Sequence, residues 1–414
     1  MSISETESYQ QANRALISLL SINLLAGVAT GMLQMTIPLY ALSLKATTLQ
    51  LGLIAGAVGI GIGRLLVVIP SGVLIDRYGA RSLFVASTLV TAIATLVLLS
   101  TTSTLTLLGV LTIQSMGQAI GFLALQAGFL KRLPYLGKAR AGWQRGATQI
   151  GFYLIGPVLC GMLLQESRYG VVFVSVGAIF FTELVISWYR RVCGAREVQD
   201  SPHRSESGQL ARFRVLLTDR IMLQVLTIEC LGAATFSVFR GFVAPVAVTI
   251  LHLSVRDVSF LILSQGAVAM CLLLFGGGLL ELFAVDRIYR CSGIFVAVGS
   301  VLLACAGGFW SFWAGAVILG TGTGLMSLCS LSQISRVQGE KGKIAALFSF
   351  SIGIGNTIGP VVAGMVGDLL AVQVSFLTTL PLVFLSWLLF QPGKQPTRSI
   401  FDPVCINEQT DQIS

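Results

Sequence analysis

Apolar residues gather into twelve long runs along the chain, at about 16–43, 50–74, 82–101, 105–128, 144–165, 169–189, 221–248, 258–283, 292–308, 311–335, 343–366 and 370–390. A helix needs roughly 20 such residues to cross the hydrocarbon core of a bilayer. Alternation of period two, the mark of a membrane β-barrel, is absent. The pattern predicts an all-α membrane protein of twelve transmembrane helices. The opening MSISETESYQQAN is polar, lacks a basic start, and leads into a run with no small-residue cleavage site. It reads as a tail (1–13) before a retained first helix and not as a signal peptide. The longest interruption, 191–220, is polar and basic and contains Pro202 and Gly208. It divides the chain into six helices at 14–190 and six at 221–391, followed by a polar tail at 392–414.

The halves echo each other. GPVLCG at 156–161 returns as GPVVAG at 359–364, an offset of 203 residues. DRYGAR after the second run has a weaker partner, DRIYR at 286–290, after the eighth, offset by 210. Two six-helix bundles related by duplication are a common construction of secondary transporters.

Composition agrees with the pattern. Charged residues are 11% and apolar residues 54% of the 414, where a soluble domain carries about 25% charged residues. Mean hydropathy is +0.84. The net charge of +9 could suggest a nucleic-acid partner, but its placement argues for a membrane. With the N-terminus in the cytoplasm and alternating helices, cytoplasmic segments hold 22 of the 27 Lys and Arg residues. Outer loops hold Lys45, Arg168 and Arg256, and Arg64 and Arg240 lie within helices. This asymmetry sets both termini in the cytoplasm. The eight cysteines are scattered with no C-x-x-C, and both histidines, His203 and His252, fall in loops. No metal site, cofactor, Ser/His/Asp set or P-loop is expected, so neither an enzyme nor an ATP-driven pump is.

The segment Gly72-Val73-Leu74-Ile75-Asp76-Arg77-Tyr78-Gly79-Ala80-Arg81 joins the second and third runs. Here the chain resembles the major facilitator superfamily, whose signature in that loop is G-x-x-x-D-R-x-G-R-R. Gly72, Asp76, Arg77, Gly79 and Arg81 match, and Ala80 departs from the basic residue. The resemblance implies a latch between halves that breaks and reforms during transport, with Asp286 and Arg287 as the corresponding pair in the second half. The G-P segments resemble the antiporter motif of helix 5, g-x-x-x-G-P-x-x-G-G. Gly156, Pro157 and Gly161 fit, Cys160 replaces a glycine, and the upstream glycine is displaced to Gly151. The eleventh run fits better, with Gly355, Gly359, Pro360 and Gly364. These residues are expected to pack helices closely and imply proton-coupled efflux. One feature opposes that: the helix-4 region LTIQSMGQAIGFLALQ carries Gln114, Gln118 and Gln126 where such antiporters often have an arginine.

Charges inside the apolar runs are the functional candidates, because burying an arginine in a bilayer costs about 2.5–3.5 kcal/mol or more. Arg64 lies 12 residues before Asp76, hence about 18 Å along a helix and near the midplane. It binds an anionic group of a substrate or pairs with a protein carboxylate. Arg240 in SVFRGFVAP is the second such cation. Glu229 is the preferred proton carrier and Glu183 the second candidate. Gln34, Gln118 and Gln265 are amides deep enough to line a cavity or to bind helix to helix.

The combined expectation is a monomeric secondary transporter of the bacterial inner membrane. Its partners are lipid, a small organic molecule with an anionic or carboxylate group, siderophore-like or drug-like, and protons, and it works by alternating access and efflux. Two other readings stay open. One is a symporter or uniporter that imports an organic anion. The other is a non-transporting receptor or scaffold built on a transporter fold.

Overall fold

The computed structural model describes residues 3–58, 61–136, 143–164, 168–190, 220–336 and 341–389. Every regular element among them is helical. In chain order they are α1 (Ile3–Ser43), α2 in two pieces (Thr48–Ala57 and Ile62–Tyr78), α3 (Ala80–Val97), α4 (Thr104–Leu136), α5 in three pieces (Trp143–Ile150, the π-helical turn Gly151–Ile155, and Gly156–Leu163), α6 (Tyr169–Arg190), α7 (Arg220–Thr249), α8 (Val255–Phe275), α9 (Val285–Ala304), α10 (Phe309–Arg336), α11 (Lys341–Leu369) and α12, where the 3-10 turns Val372–Thr378 lead into Thr379–Leu389. Ten helices are long and apolar enough to cross a membrane, and α2 and α12 supply shorter apolar pieces. Helix α1 begins at Ile3, inside the segment expected as a tail. Residues 191–219 of the expected linker and the tail 392–414 lie outside the described residues. The ninth helix starts earlier than its apolar run because α8 ends in the triple glycine Gly276–Gly278 and α9 takes in Asp286 and Arg287.

Large apolar side chains point outward from α3 (Leu89, Ile93), α6 (Phe181, Trp188), α9 (Ile294, Val298) and α12 (Phe384). Such a surface suits hydrocarbon and not water. The end of the bundle where α1 begins is here the near end, and the opposite end is the far end.

At the far end the duplication extends to backbone detail. The α1–α2 turn places Lys45 at φ 58°, and the α7–α8 turn places His252 at φ 50°. Each is followed two residues later by a helix cap, Thr47 or Ser254, closed into a capping box with Gln50 or Asp257. These satisfy the first free N–H groups of α2 and α8 at the same point of each half.

The halves meet toward the far end through backbone without side chains. A methyl group on Gly364 of α11 would lie 2.8 Å from the Thr48 carbonyl oxygen and 3.0 Å from the Gly52 Cα of α2. One on Gly161 of α5 would lie 2.7 Å from the Ser259 Cβ of α8. Ser259 donates to the Pro157 carbonyl at 2.6 Å. Gly52 in turn rests on the Pro360 carbonyl oxygen. The two G-P segments therefore divide their labour alike. The first glycine seats its helix on a helix of its own half: Gly156 on Val28 and Gly31 of α1, and Gly359 on Ala234 of α7. The proline carbonyl and last glycine face the other half.

Overpacking such a contact costs about 1–3 kcal/mol. Gly364→Val should therefore drive the far ends apart. Spin labels at Ser43→Cys and Arg256→Cys, in a background without native cysteines, should show a short inter-half distance that lengthens in the Gly364→Val protein.

Candidate functional site

The site forms where α5 and α7, one from each half, present charged and aromatic residues to one another. Along α7, Glu229, Phe236 and Arg240 are spaced seven and four apart, so they share one face of the helix. Along α5, Arg145 opens the span and Phe152 and Tyr153 sit in the π-helical turn. Pro157 has no N–H to donate to the preceding turn. The chain accommodates this with an extra residue, and the Gly156 N–H reaches back five positions to the Gly151 carbonyl. Such single-turn bulges reorient side chains and recur at functional sites. Here the bulge also explains the displaced glycine of the motif. Gly151 and Gly156, five apart, both lie against α1, whereas their counterparts Gly355 and Gly359, four apart, both lie against α7 in an unbroken helix.

Arg240 is 3% exposed, and none of its three guanidinium nitrogens has a hydrogen-bond partner. Its Cζ lies 4.9 Å from the ring centre of Phe152, 5.4 Å from Tyr153 and 5.3 Å from Phe236. Two of these rings belong to the first half and one to the second. Each ring face offsets about 0.5–2 kcal/mol of the cost of burying the cation, and the unsatisfied N–H groups cost several more. The Tyr153 phenol is within electrostatic reach of Arg240, Arg145 and Glu229 together. Arg145 also reaches Arg64 and Glu229. Arg64 is buried just past the break in α2. A methyl group on Gly63 would lie 2.5 Å from the Met116 N, and this close approach to α4 sets the Arg64 Cζ 5.8 Å from the Phe122 ring. Ser330 of α10 lies within side-chain hydrogen-bonding reach of the Glu229 carboxylate.

Buried amide atoms without a hydrogen-bond partner among the described residues are Gln34 Oε1, Gln114 Oε1, Gln118 Nε2, Asn356 Oδ1 and both side-chain polar atoms of the fully buried Gln265. Asn23 is different. It ties α1 to α5, accepting from Gln144 at 3.4 Å and Thr148 at 3.3 Å. Glu183 lies apart from the cluster, buried in α6, which packs on α1 and α3. At the near end Gly79 holds φ 80° between α2 and α3, a conformation that favours glycine. Arg77 is exposed over the Tyr78 ring, Arg81 is half-buried, and Asp286 stands in the first turn of α9 beside the exposed Arg287. The side chain of Asp76 and the surroundings of Gly72 lie outside what is described.

The family model of the Major Facilitator Superfamily matches residues 19–243 and 225–404. The chain belongs to the major facilitator superfamily. It is a membrane transporter and not an enzyme by that membership. Among solved members, the nucleoside transporter NupG superposes with a TM-score of 0.72 at 14% identity, covering 93% of this chain and 100% of that one. A bacterial homologue of the human lysosomal transporter Spinster, in an inward-facing and unoccupied conformation, gives 0.72 at 14% identity and covers 92% and 96%. The same homologue in its occupied inward-facing conformation gives 0.71 at 16%, covering 91% and 96%. No curated protein matches the sequence.

Within this superfamily fold, Arg145 is the member of the site that its position concealed. At the polar start of an apolar run it counts as one more cytoplasmic cation, and only the folded structure puts this exposed side chain within electrostatic reach of Arg64 and Glu229. Phe152, Tyr153 and Phe236 read as ordinary apolar residues, and the spacing of Gly151 was their available signal.

Replacing Arg240 with Met keeps an unbranched side chain among the three rings and removes an unsatisfied charge. Without ligand, Arg240→Met should unfold at a temperature equal to or a few degrees above the parent protein. A lower midpoint would show that the guanidinium is already satisfied in the empty protein.

Proposed function

We propose that the protein is a proton-coupled exporter of small organic molecules bearing an anionic group, working by alternating access across the bacterial inner membrane as a monomer with both termini cytoplasmic. The observation that carries this reading is the Arg240 guanidinium, sealed between the halves with every nitrogen unpartnered. A buried cation without an acceptor favours a ligand that brings one, and a carboxylate matches the guanidinium fork in two parallel hydrogen bonds. Arg64 and Arg145 extend the positive lining toward the near end, while Gln34, Gln118 and Gln265 supply uncharged contacts. Export draws support from the G-P segment of α5.

Glu229 is the proton carrier in this mechanism, with Glu183 the alternative. The antiporter arginine missing from helix 4 has a stand-in on α5. The exposed Arg145 lies within electrostatic reach of Glu229 from the other half, where a guanidinium can steady the ionised carboxylate and release it on protonation. Protonated, Glu229 leaves Arg145 free for the cargo's anionic group, so proton and anion exchange places on one cation. Movement between states requires the contacts of Gly161 and Gly364 to part at the far end. The residues expected as the latch, Asp76, Arg77, Arg81, Asp286 and Arg287, would act at the near end.

The reading is tested in proteoliposomes with an anion selected by a thermal-shift screen of organic acids, sugars and cationic dyes. Arg240→Gln and Arg64→Gln should each weaken binding of the selected acid by about tenfold or more, the worth of a charge-assisted hydrogen bond. Glu229→Gln should keep exchange of labelled for unlabelled acid and lose the response to a pH gradient. Selection of only neutral or cationic compounds, or full gradient-driven flux in Glu229→Gln, would overturn it. Asp76→Asn should slow turnover more than it weakens binding.

A further inference from the structure

We infer that Ser330 and Tyr289 form a hydroxyl chain that relays the protonation state of Glu229 to the Asp286–Arg290 segment at the near end. The chain crosses three helices of the second half. The Ser330 hydroxyl of α10 is within side-chain hydrogen-bonding reach of the Glu229 carboxylate of α7. The Ser330 Oγ lies 3.2 Å from the Tyr289 hydroxyl of α9, and either can donate. All three residues are buried. Asp286, three residues before Tyr289 on α9, lies within electrostatic reach of Tyr289 and of Cys329. The frame holding the chain is tight: a methyl group on Gly322 of α10 would sit 2.8 Å from the Ser292 carbonyl oxygen of α9.

The direction of the chain depends on one proton. An ionised carboxylate only accepts, so Ser330 must donate to Glu229 and take its own hydrogen bond from Tyr289. A protonated Glu229 can donate to Ser330, which then donates to Tyr289. The Tyr289 hydroxyl proton is thereby turned away from α10, on a helix whose preceding turn carries Asp286. No proton need leave the chain for the message to pass. Because all its members belong to the second half, the relay survives separation of the halves.

The groups that face Glu229 from its neighbours are few. Arg145 and Tyr153 approach from α5, and Ser330 from α10. Helix α11 contributes Ser351, which donates to the Leu226 carbonyl one turn earlier on α7. The other described charges of the helices packed on α7 are Arg64 and the exposed Arg77 on α2, Arg256 and Asp257 at the far end of α8, and Asp368 at the far end of α11.

The inference rests on Glu229 as the proton-binding group proposed above, but on neither cargo nor direction. It is tested by amide hydrogen exchange of the full chain in lipid nanodiscs without ligand, following peptides that cover 285–291. Parent and Glu229→Gln proteins are compared at matched pH values from about 5 to 9. The two should exchange alike at the acid end and differ about tenfold at the alkaline end, the worth of one hydrogen bond to a charged group. Tyr289→Phe and Ser330→Ala should reduce that difference to less than about twofold, and Ser330→Thr, which restores a hydroxyl, should recover it. A difference that persists in Tyr289→Phe, or parent and Glu229→Gln proteins that exchange alike at every pH, overturns the relay. Loss of gradient-driven flux from Glu229→Gln together with either result sinks the relay alone, while an intact pH response with no transported anion sinks the transport reading alone.

Discussion

The architecture depends on helices from different halves touching through bare backbone. At Gly52, Gly161 and Gly364 there is no room for a Cβ, and the proline carbonyls on either side of the seam are met by Ser259 or by Gly52. Dispersion and one short hydrogen bond hold such a contact, with no hydrophobic gain over lipid. It is close enough to exclude water and weak enough to part. The seam sets the distance between α5 and α7, which places two rings of one half and one ring of the other around a single guanidinium. Without contact at this spacing, Arg240 would be solvated and its N–H groups would carry no information about a ligand.

The charges form one system because of the helices they stand on. Arg145, Tyr153 and Glu229 lie within reach of each other across the halves, and Arg64 joins through Arg145. Among these groups cations outnumber the one carboxylate. Arg64, Arg240 and Glu229 are buried where low dielectric strengthens attraction and repulsion, whereas the exposed Arg145 acts through solvent, so the balance at the buried charges is the part sensitive to an added proton or anion.

Much of the fold was legible in the amino-acid order. The twelve runs mark the twelve spans because a bilayer leaves a helix little alternative, and the repeated G-P segments mark equivalent places in each half. The buried charges Arg64, Arg240 and Glu229 stand out against apolar neighbours, since burying a charge is costly. Partnership was not legible. Arg145 looks like a loop cation, Tyr289 like part of an interfacial motif, and Ser330 like one of many small residues in α10. The matched turns at Lys45 and His252 escaped notice because they share conformation and not residue type. The shifted Gly151 was visible, but its meaning as an inserted residue required seeing that both glycines of α5 still touch α1.

That insertion is where the two-fold relation between the halves fails. In α11 the stretch between Gly355 and Gly359 is ordinary helix and carries Asn356, while in α5 the stretch between Gly151 and Gly156 is one residue longer and carries Phe152 and Tyr153. The two halves carry a pair of matching glycine seats. A single added residue in one of them turns an aromatic wall toward Arg240, so the seats of the two halves match while the surroundings of the buried cation belong to one arrangement alone.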